Sequence, residues 1–171
     1  MYENDITQLS EKYYEDMKKL RHYFHMHPEL GFNEFNTSKT IEEELRKLDI
    51  NDIHKLAKTG VTALIKGKYP GKTILLRADM DAIPVNEEVD IEYKSKNLGI
   101  MHACGHDGHV AALLGAAKVL NELKDKIHGN IKLVFQPAEE AEGGANLMIE
   151  EGVLDNPKVD AAAACHLWGS T

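Results

Sequence analysis

The sequence has few of the features that build disulfide-rich, membrane-spanning or nucleic-acid-binding proteins. It contains only two cysteines, Cys104 and Cys165, so a disulfide framework is excluded and each is expected to be a free thiol. No apolar run approaches the ~20 residues that span a bilayer, which argues against a membrane protein. Basic runs of five or more residues are also absent. Nucleic acid is therefore not an expected partner.

The net charge of the chain also argues against nucleic-acid and membrane partners. The formal net charge is -8, from 28 acidic and 20 basic residues, and it opposes association with nucleic acid or an anionic membrane. The N-terminal residues 1–5 are acidic where an export signal has a basic region followed by an apolar one. We therefore expect a cytoplasmic protein.

Hydrophobic patterning predicts one α/β domain. At 171 residues and 43% hydrophobic content, the chain can bury a sizeable core. Apolar residues at helical spacing predict helices at residues 6–25, 36–48, 108–123 and 145–151. Short apolar runs predict strands at residues 61–65, 73–77, 130–135 and 159–165. This order predicts a largely parallel sheet covered by helices, with the first two strands as neighbours around a turn at Pro70 and Gly71.

Residues able to bind metal follow three of the predicted strands. In open parallel sheets, ligand sites form beyond the carboxyl ends of the strands. Acids follow the second and third strands, a histidine follows the last, and the loop before the long helix adds a thiol and imidazoles. These residues are Asp79, Asp81, His102, Cys104, His106, His109, Glu139, Glu140 and His166. The sequence therefore predicts one site at this edge of the sheet.

The loop before the long helix has the spacing of a metal site. Cys104 and His106 are two residues apart, which places both side chains on one side of an extended backbone. Gly105 and Gly108 permit the tight path that brings two ligands to one ion. A polar surface loop is the first alternative. The second is a Cys104 nucleophile with His106 as its base, which leaves the carboxylates and His166 unexplained.

The acidic pairs admit two interpretations each. Glu139 and Glu140 point in different directions, so one can bind metal while the other meets water as a general base; the alternative is a solvated acidic turn before a helix. Asp79 and Asp81 share one side of a strand and can be a loop-capping pair. The other interpretation makes Asp81 the carboxylate that orients a metal-binding histidine. Cys165 faces away from His166 and is expected in the core.

Five ordered stretches resemble the family-20 metallopeptidases, in the branch of N-acyl-amino-acid amidohydrolases that includes hippurate hydrolases and plant auxin-conjugate hydrolases. Together they extend over almost the whole chain. The stretches are RHYFHMHPELGF at residues 21–32, LRADMDAIP at 76–84, MHACGHDGH at 101–109, FQPAEE at 135–140 and HLW at 166–168.

The resemblance implies a zinc-aminopeptidase-like catalytic domain, a three-layer sandwich with a mainly parallel mixed sheet between helices. It implies that Cys104 bridges two divalent ions (zinc, manganese, cobalt or nickel), with His106 and Glu140 completing one site and His166 the other. Glu139 would be the general base. The implied reaction is hydrolysis of the amide bond of N-acyl amino acids or small peptides by a water that two metal ions activate.

The resemblance also implies that part of a typical relative lies outside residues 1–171. Relatives carry an inserted lid and dimerisation domain, and then a C-terminal catalytic segment with a last metal-binding histidine. They are homo-oligomeric. By this comparison, residues 1–171 form the N-terminal part of a truncated catalytic domain. A non-catalytic metal-binding fragment is the alternative function.

Overall fold

The computed structural model describes residues 2–140 and 143–168. The helices are α1 (Tyr2–Met26), α2 (Phe35–Arg46), α3 (His106–Glu122) and α4 (Gly144–Glu150), with a 3-10 turn at Lys124–Lys126. The strands are β1 (Ile53–Leu56), β2 (Gly60–Lys66), β3 (Tyr69–Asp79), β4 (His128–Gln136) and β5 (Ala161–Ala164). Within these two ranges every helix is too short or too polar to span a bilayer.

The five strands form one mixed sheet in the order β1-β2-β4-β3-β5. Strand β3 pairs in parallel with β4 and with β5. Strand β2 pairs antiparallel with β4 and with β1. The predicted α/β class and the mixed sheet are confirmed. The parallel character belongs to β4, β3 and β5, whose carboxyl ends meet at one edge.

The prediction that β2 and β3 are neighbours is wrong, because β4 lies between them. Pro70 and Gly71 belong to β3, at a shift of its register against β4 between Tyr69 and Thr73. The connection from β2 instead runs past the start of β4, where the Gly67 amide donates to the carbonyl of Gly129 over 2.9 Å. Gly129 has a φ of 88°, and a Cβ there would overlap with backbone atoms of β3. Only glycine permits this close approach.

Both faces of the sheet are covered by helices, which gives three layers. Along β4, Leu133 and Phe135 face the larger core beneath α1, α2 and α3, whereas Val134 faces a smaller core beneath α4. This alternation is the ordinary consequence of the strand period of two. A fully buried side chain such as Phe135 contributes about 1.5–3 kcal/mol of hydrophobic stabilisation. The central strands are therefore firmly held where they deliver residues to the edge.

Strand β5 is an exposed edge of the described sheet. All four of its alanines are exposed, and β3 is its one partner within the described ranges. Cys165, directly after this strand, is exposed as well. The prediction that Cys165 lies in the core is therefore wrong, because no described element covers this strand. Both cysteines are free, as expected.

Candidate metal centre

The carboxyl ends of β3, β4 and β5 and the first turn of α3 converge on one group of side chains. We call Cys104, His106, Glu139, Glu140 and His166 the metal centre. His106 takes part in each of three sets of possible ligands whose donor atoms lie within 4.8 Å of one another. The sets are Cys104 with His106 and His166; His106 with Glu139 and Glu140; and Asp79 with His106 and His109. The structure thus brings together these five residues, which are among those that strand order and spacing singled out.

His106 is the buried middle of the centre, with 1% of its surface exposed. Its Nδ1 lies 2.8 Å from the carbonyl oxygen of Asp81, which can only accept, so Nδ1 carries a proton. Its Nε2 is buried and has no hydrogen-bond partner among the described residues. Carboxylate oxygens of Glu140 and Glu139 lie 3.8 and 3.9 Å from Nε2. An imidazole nitrogen that faces two carboxylates suits a divalent cation between them.

The electrostatics of His106 agree with this fit. Burial lowers the pKa of His106, but its hydrogen bond to Asp81 and the charge of Asp79 outweigh burial, so the pKa is raised. The excess of negative charge that favours a proton on this imidazole equally favours a metal ion. Nitrogen, sulfur and carboxylate donors are the set that zinc and similar transition metals prefer.

Cys104 faces His166, with Sγ and Nε2 3.4 Å apart. Burial raises the pKa of the Cys104 thiol to about 11, and the carboxylates of Glu140, Asp79 and Glu139 act in the same direction. Such a thiol is neutral near pH 7 unless a cation offsets these charges. The raised pKa of the Cys104 thiol argues against the hypothesis of a Cys104 nucleophile with His106 as its base.

Asp81 connects two members of the centre. Its backbone carbonyl accepts from His106, and its carboxylate oxygen Oδ2 accepts the amide N–H of Glu140 over 3.1 Å. The other oxygen, Oδ1, lies 3.4 Å from His106 Nδ1. Burial acts to raise the pKa of Asp81, but these hydrogen bonds outweigh it and the pKa is lowered. Orientation of the histidine by Asp81 stays a prediction, and the nearer acceptor is its carbonyl rather than its carboxylate.

Glu34 holds the loop of Glu139 and Glu140 from the other side, and sequence reasoning missed it. Its carboxylate is fully buried and accepts from the Ala138 amide over 2.9 Å and from the Thr59 hydroxyl over 2.6 Å. Ala138 has a φ of 48°, an uncommon conformation for alanine, and Glu34 stabilises it at the turn into Glu139. No local pattern marks Glu34, because its partners lie far away in sequence.

Two histidines before Pro28, His22 and His25, contact side chains outside the metal centre. His25 is buried between carboxylates, with Nδ1 2.8 Å from Asp107 and Nε2 2.9 Å from Glu87. His22 stacks on Tyr93 with ring centroids 3.8 Å apart. Neither belongs to a set of possible metal ligands within the described ranges.

Residues 75–171 match the model of a known protein family, peptidase family M20/M25/M40. The chain belongs to this family. The resemblance drawn from the five stretches is thereby confirmed.

Relatives of this M20/M25/M40 chain include hydrolases of amides and peptides. It is 43% identical over 169 residues to an N-acyl-L-amino acid amidohydrolase of Geobacillus stearothermophilus, and 50% identical over 155 residues to thermostable carboxypeptidase 1 of Saccharolobus solfataricus. These alignments cover 98% and 89% of the chain, but 45% and 39% of the relatives. The chain thus spans less than half the length of either relative.

A solved structure has the same fold. The Bacillus subtilis YXEP protein, described as a dinuclear metal binding peptidase from the M20 family, matches with a TM-score of 0.87 and 39% identity. The match covers 92% of this chain and 44% of that protein.

Proposed function

We propose that this chain forms the metal-binding part of an enzyme that hydrolyses the amide bond of N-acyl amino acids or small peptides with the help of two divalent ions. One observation carries the proposal: the buried, unpartnered Nε2 of His106, among the described residues, faces Glu139 and Glu140. Cys104 and His166 adjoin it. The names of the amidohydrolase and carboxypeptidase relatives support the substrate class.

In this proposal Cys104, His106, Glu140 and His166 would hold the two ions. Bound ions would supply Lewis acidity, which polarises an amide carbonyl and lowers the pKa of water. His106 is oriented for this role because its bond to Asp81 leaves Nε2 as the acceptor nitrogen. Zinc, manganese, cobalt and nickel all suit this donor set.

Glu139 is the proposed general base. Its carboxylate is 40% exposed, so a substrate and a water can reach it, and one oxygen lies 3.9 Å from His106 Nε2. It takes a proton from the attacking water and passes it to the nitrogen of the leaving amine, so one carboxylate serves both steps. General acid–base catalysis of this kind is worth about 10²–10⁴ in rate.

The acyl group of the substrate has a matching cavity beside Glu140. This cavity has a volume of about 230 Å³. Its lining is mostly apolar, with the carboxylates of Asp81 and Glu140 and the amide of Asn33 also present. The apolar residues of the lining are Leu30, Gly31, Ala82, Ile83, Pro84 and Ala138. Such apolar walls favour an uncharged acyl chain, and the two carboxylates disfavour an acidic one.

Hydrolysis of N-acetyl and N-benzoyl amino acids, with manganese, zinc or cobalt added, tests the proposal. We expect Glu139→Gln to lower kcat by about 10²–10⁴ while the bound metal is unchanged, because the base is lost and the ligands are kept. Glu150→Gln, on the exposed end of α4, is the matched control. Full activity of Glu139→Gln excludes Glu139 as the base. Two bound ions without turnover, even when the C-terminal part of a relative is supplied in trans, contradict hydrolysis and leave metal binding alone.

A further inference from the structure

His109 lies in the first turn of α3, is 5% exposed, and engages both of its ring nitrogens. Its Nδ1 lies 2.6 Å from the carboxylate of Asp79. Its Nε2 lies 2.8 Å from the backbone amide of Leu167, the residue that follows His166. This imidazole therefore joins the end of β3 to the segment that carries one proposed metal ligand.

The partners of His109 define where its proton is. The amide of Leu167 can only donate, so Nε2 accepts, and the proton of the neutral ring is on Nδ1. That proton is donated to Asp79, whose other oxygen accepts from Arg77 over 2.7 Å. Arg77 also donates to Gln136 over 2.8 Å. Asp79, Arg77 and Gln136 thus form a chain of hydrogen bonds that fixes the orientation of the His109 ring.

The segment at residues 165–168 depends on this bond. It follows β5, has no regular secondary structure, and is exposed throughout. Apart from the contact between Cys104 and His166, the bond from Leu167 to His109 is its one hydrogen bond to the rest of the described chain. Leu167 also lies over Gly108, where a Cβ would overlap with its Cδ1. The first turn of α3 thus contacts this segment through the hydrogen bond of His109 and the packing of Leu167 on Gly108.

We propose that His109 is a positioning residue, which holds His166 in place for metal binding by accepting the Leu167 amide. The inference rests on the proposed metal centre and adds a residue to it. His109 acts through the backbone next to the ligand and does not bind the ion.

A competing role for His109 is that of a ligand, since Asp79, His106 and His109 form one of the three sets of possible ligands. A ligand role predicts weaker metal binding in both His109→Asn and His109→Gln, whereas the positioning role predicts it in His109→Asn alone. An asparagine amide takes the place of Nδ1 and keeps the donor to Asp79, but it loses the acceptor for Leu167. A glutamine amide reaches the place of Nε2 and keeps that acceptor.

Titration of the chain with cobalt(II) separates the roles. Visible absorption reports binding to the thiolate and imidazole ligands. Fluorescence of Trp168, the single tryptophan, reports the ion on His166, because the two rings lie 5.9 Å apart between centroids. We expect His109→Asn to lower the affinity for the ion that Trp168 reports by about 10- to 100-fold, the usual effect of losing a residue that orients a ligand. The affinity of His109→Gln should stay close to that of the unaltered chain.

A second pair of variants changes Leu167, whose amide is the donor of the hydrogen bond to His109. Leu167→Pro lacks the amide N–H and is expected to behave as His109→Asn, whereas Leu167→Ala keeps it and is expected to bind normally. Equal losses in His109→Asn and His109→Gln, or normal binding by Leu167→Pro, overturn the positioning role. Failure of the unaltered chain to bind cobalt overturns the metal centre itself, so the two failures are distinguishable.

Discussion

At the scale of single residues, His25 shows how a buried charge can be neutralised by its neighbours. Both ring nitrogens face carboxylates, Asp107 and Glu87, which can only accept, so the imidazole carries both protons and a positive charge. Arg21 adds a second cation, 3.2 Å from Asp107. The hydrogen bond to Asp107 raises the pKa of His25, burial opposes it, and Glu87 adds to the rise. Two cations therefore balance two anions where α1 meets α3.

The stability supplied by His25 should depend on pH in a defined direction. Because its folded pKa is raised, this contribution is complete below the unfolded pKa of about 6.5 and is lost as the pH rises through the folded value. His25→Gln should therefore lower the free energy of unfolding by about 3 kcal/mol near pH 6, and by less near pH 9. Urea unfolding at both pH values measures the difference.

His27→Gln is the matched control, because the partner of His27 is the uncharged carbonyl of Tyr23. Asp107 sets the lower limit of the pH range in which this contribution to stability is present. Burial acts to raise its pKa, but the bond to His25 outweighs burial and the pKa is lowered, so its contribution is lost as the pH falls through that lowered value. A deficit of His25→Gln that grows toward pH 9 would refute the assigned charge.

At the scale of elements, the close contact between α1 and α3 depends on the glycine at position 115, which has no side chain. Gly115 is buried in α3, and a Cβ there would overlap with Met17 Sδ and lie 2.6 Å from its Cγ. Glycine is a poor helix former, so its presence is explained by this close approach. Met17 fills the space that a larger residue would need.

A double-mutant cycle tests that explanation. We expect Gly115→Ala to lower the free energy of unfolding by about 1–3 kcal/mol through overpacking, although alanine favours the helix. With Met17→Ala already present, the same change should become neutral or stabilising by up to about 1 kcal/mol, since only the helix preference remains. Denaturant unfolding of the four proteins gives the coupling. Equal effects in both backgrounds would mean that Met17 and Gly115 do not interact.

Helices and strands with a strong hydrophobic periodicity could be predicted from the sequence, but the order of the strands in the sheet could not. The stripe of α3 and the acids after β3 and β4 led to the correct edge of the sheet. Strand β1 was missed because it has four residues, of which only Ile53 and Leu56 are partly buried. The place of β4 was missed because its pairing with β2 is a long-range contact, which no local pattern encodes. The support given by Glu34 and His109 was missed for the same reason.

At the scale of the whole molecule, the acidic chain concentrates carboxylates at one edge. The net charge is -8, and Asp79, Asp81, Glu139 and Glu140 all lie around the Nε2 atom of His106 or the loop beside it. Like charges that close repel one another in the folded state and much less in the unfolded chain. A divalent cation at the centre relieves this repulsion.

Metal should therefore stabilise the fold as well as the site. At a free concentration about 100 times its Kd, an ion that binds only the folded state adds about 2.7 kcal/mol. We expect zinc or cobalt to raise the Tm of the chain, EDTA to reverse the rise, and His106→Ala to abolish it, because His106 is common to all three sets of ligands. Thermal unfolding followed by circular dichroism measures the shift. An equal rise in His106→Ala would place the ions on other acidic side chains.

The central position of β4 makes the sheet depend on pairing between distant parts of the sequence. Strands β2 and β3 are consecutive in sequence, yet each pairs with β4, and residues as distant as Val61 and Phe135 become partners. A sheet built on such contacts forms more slowly than one built from hairpins. The carboxyl ends of β3 and β4 carry residues of the proposed metal centre, so we expect this centre to assemble only when the two strands pair.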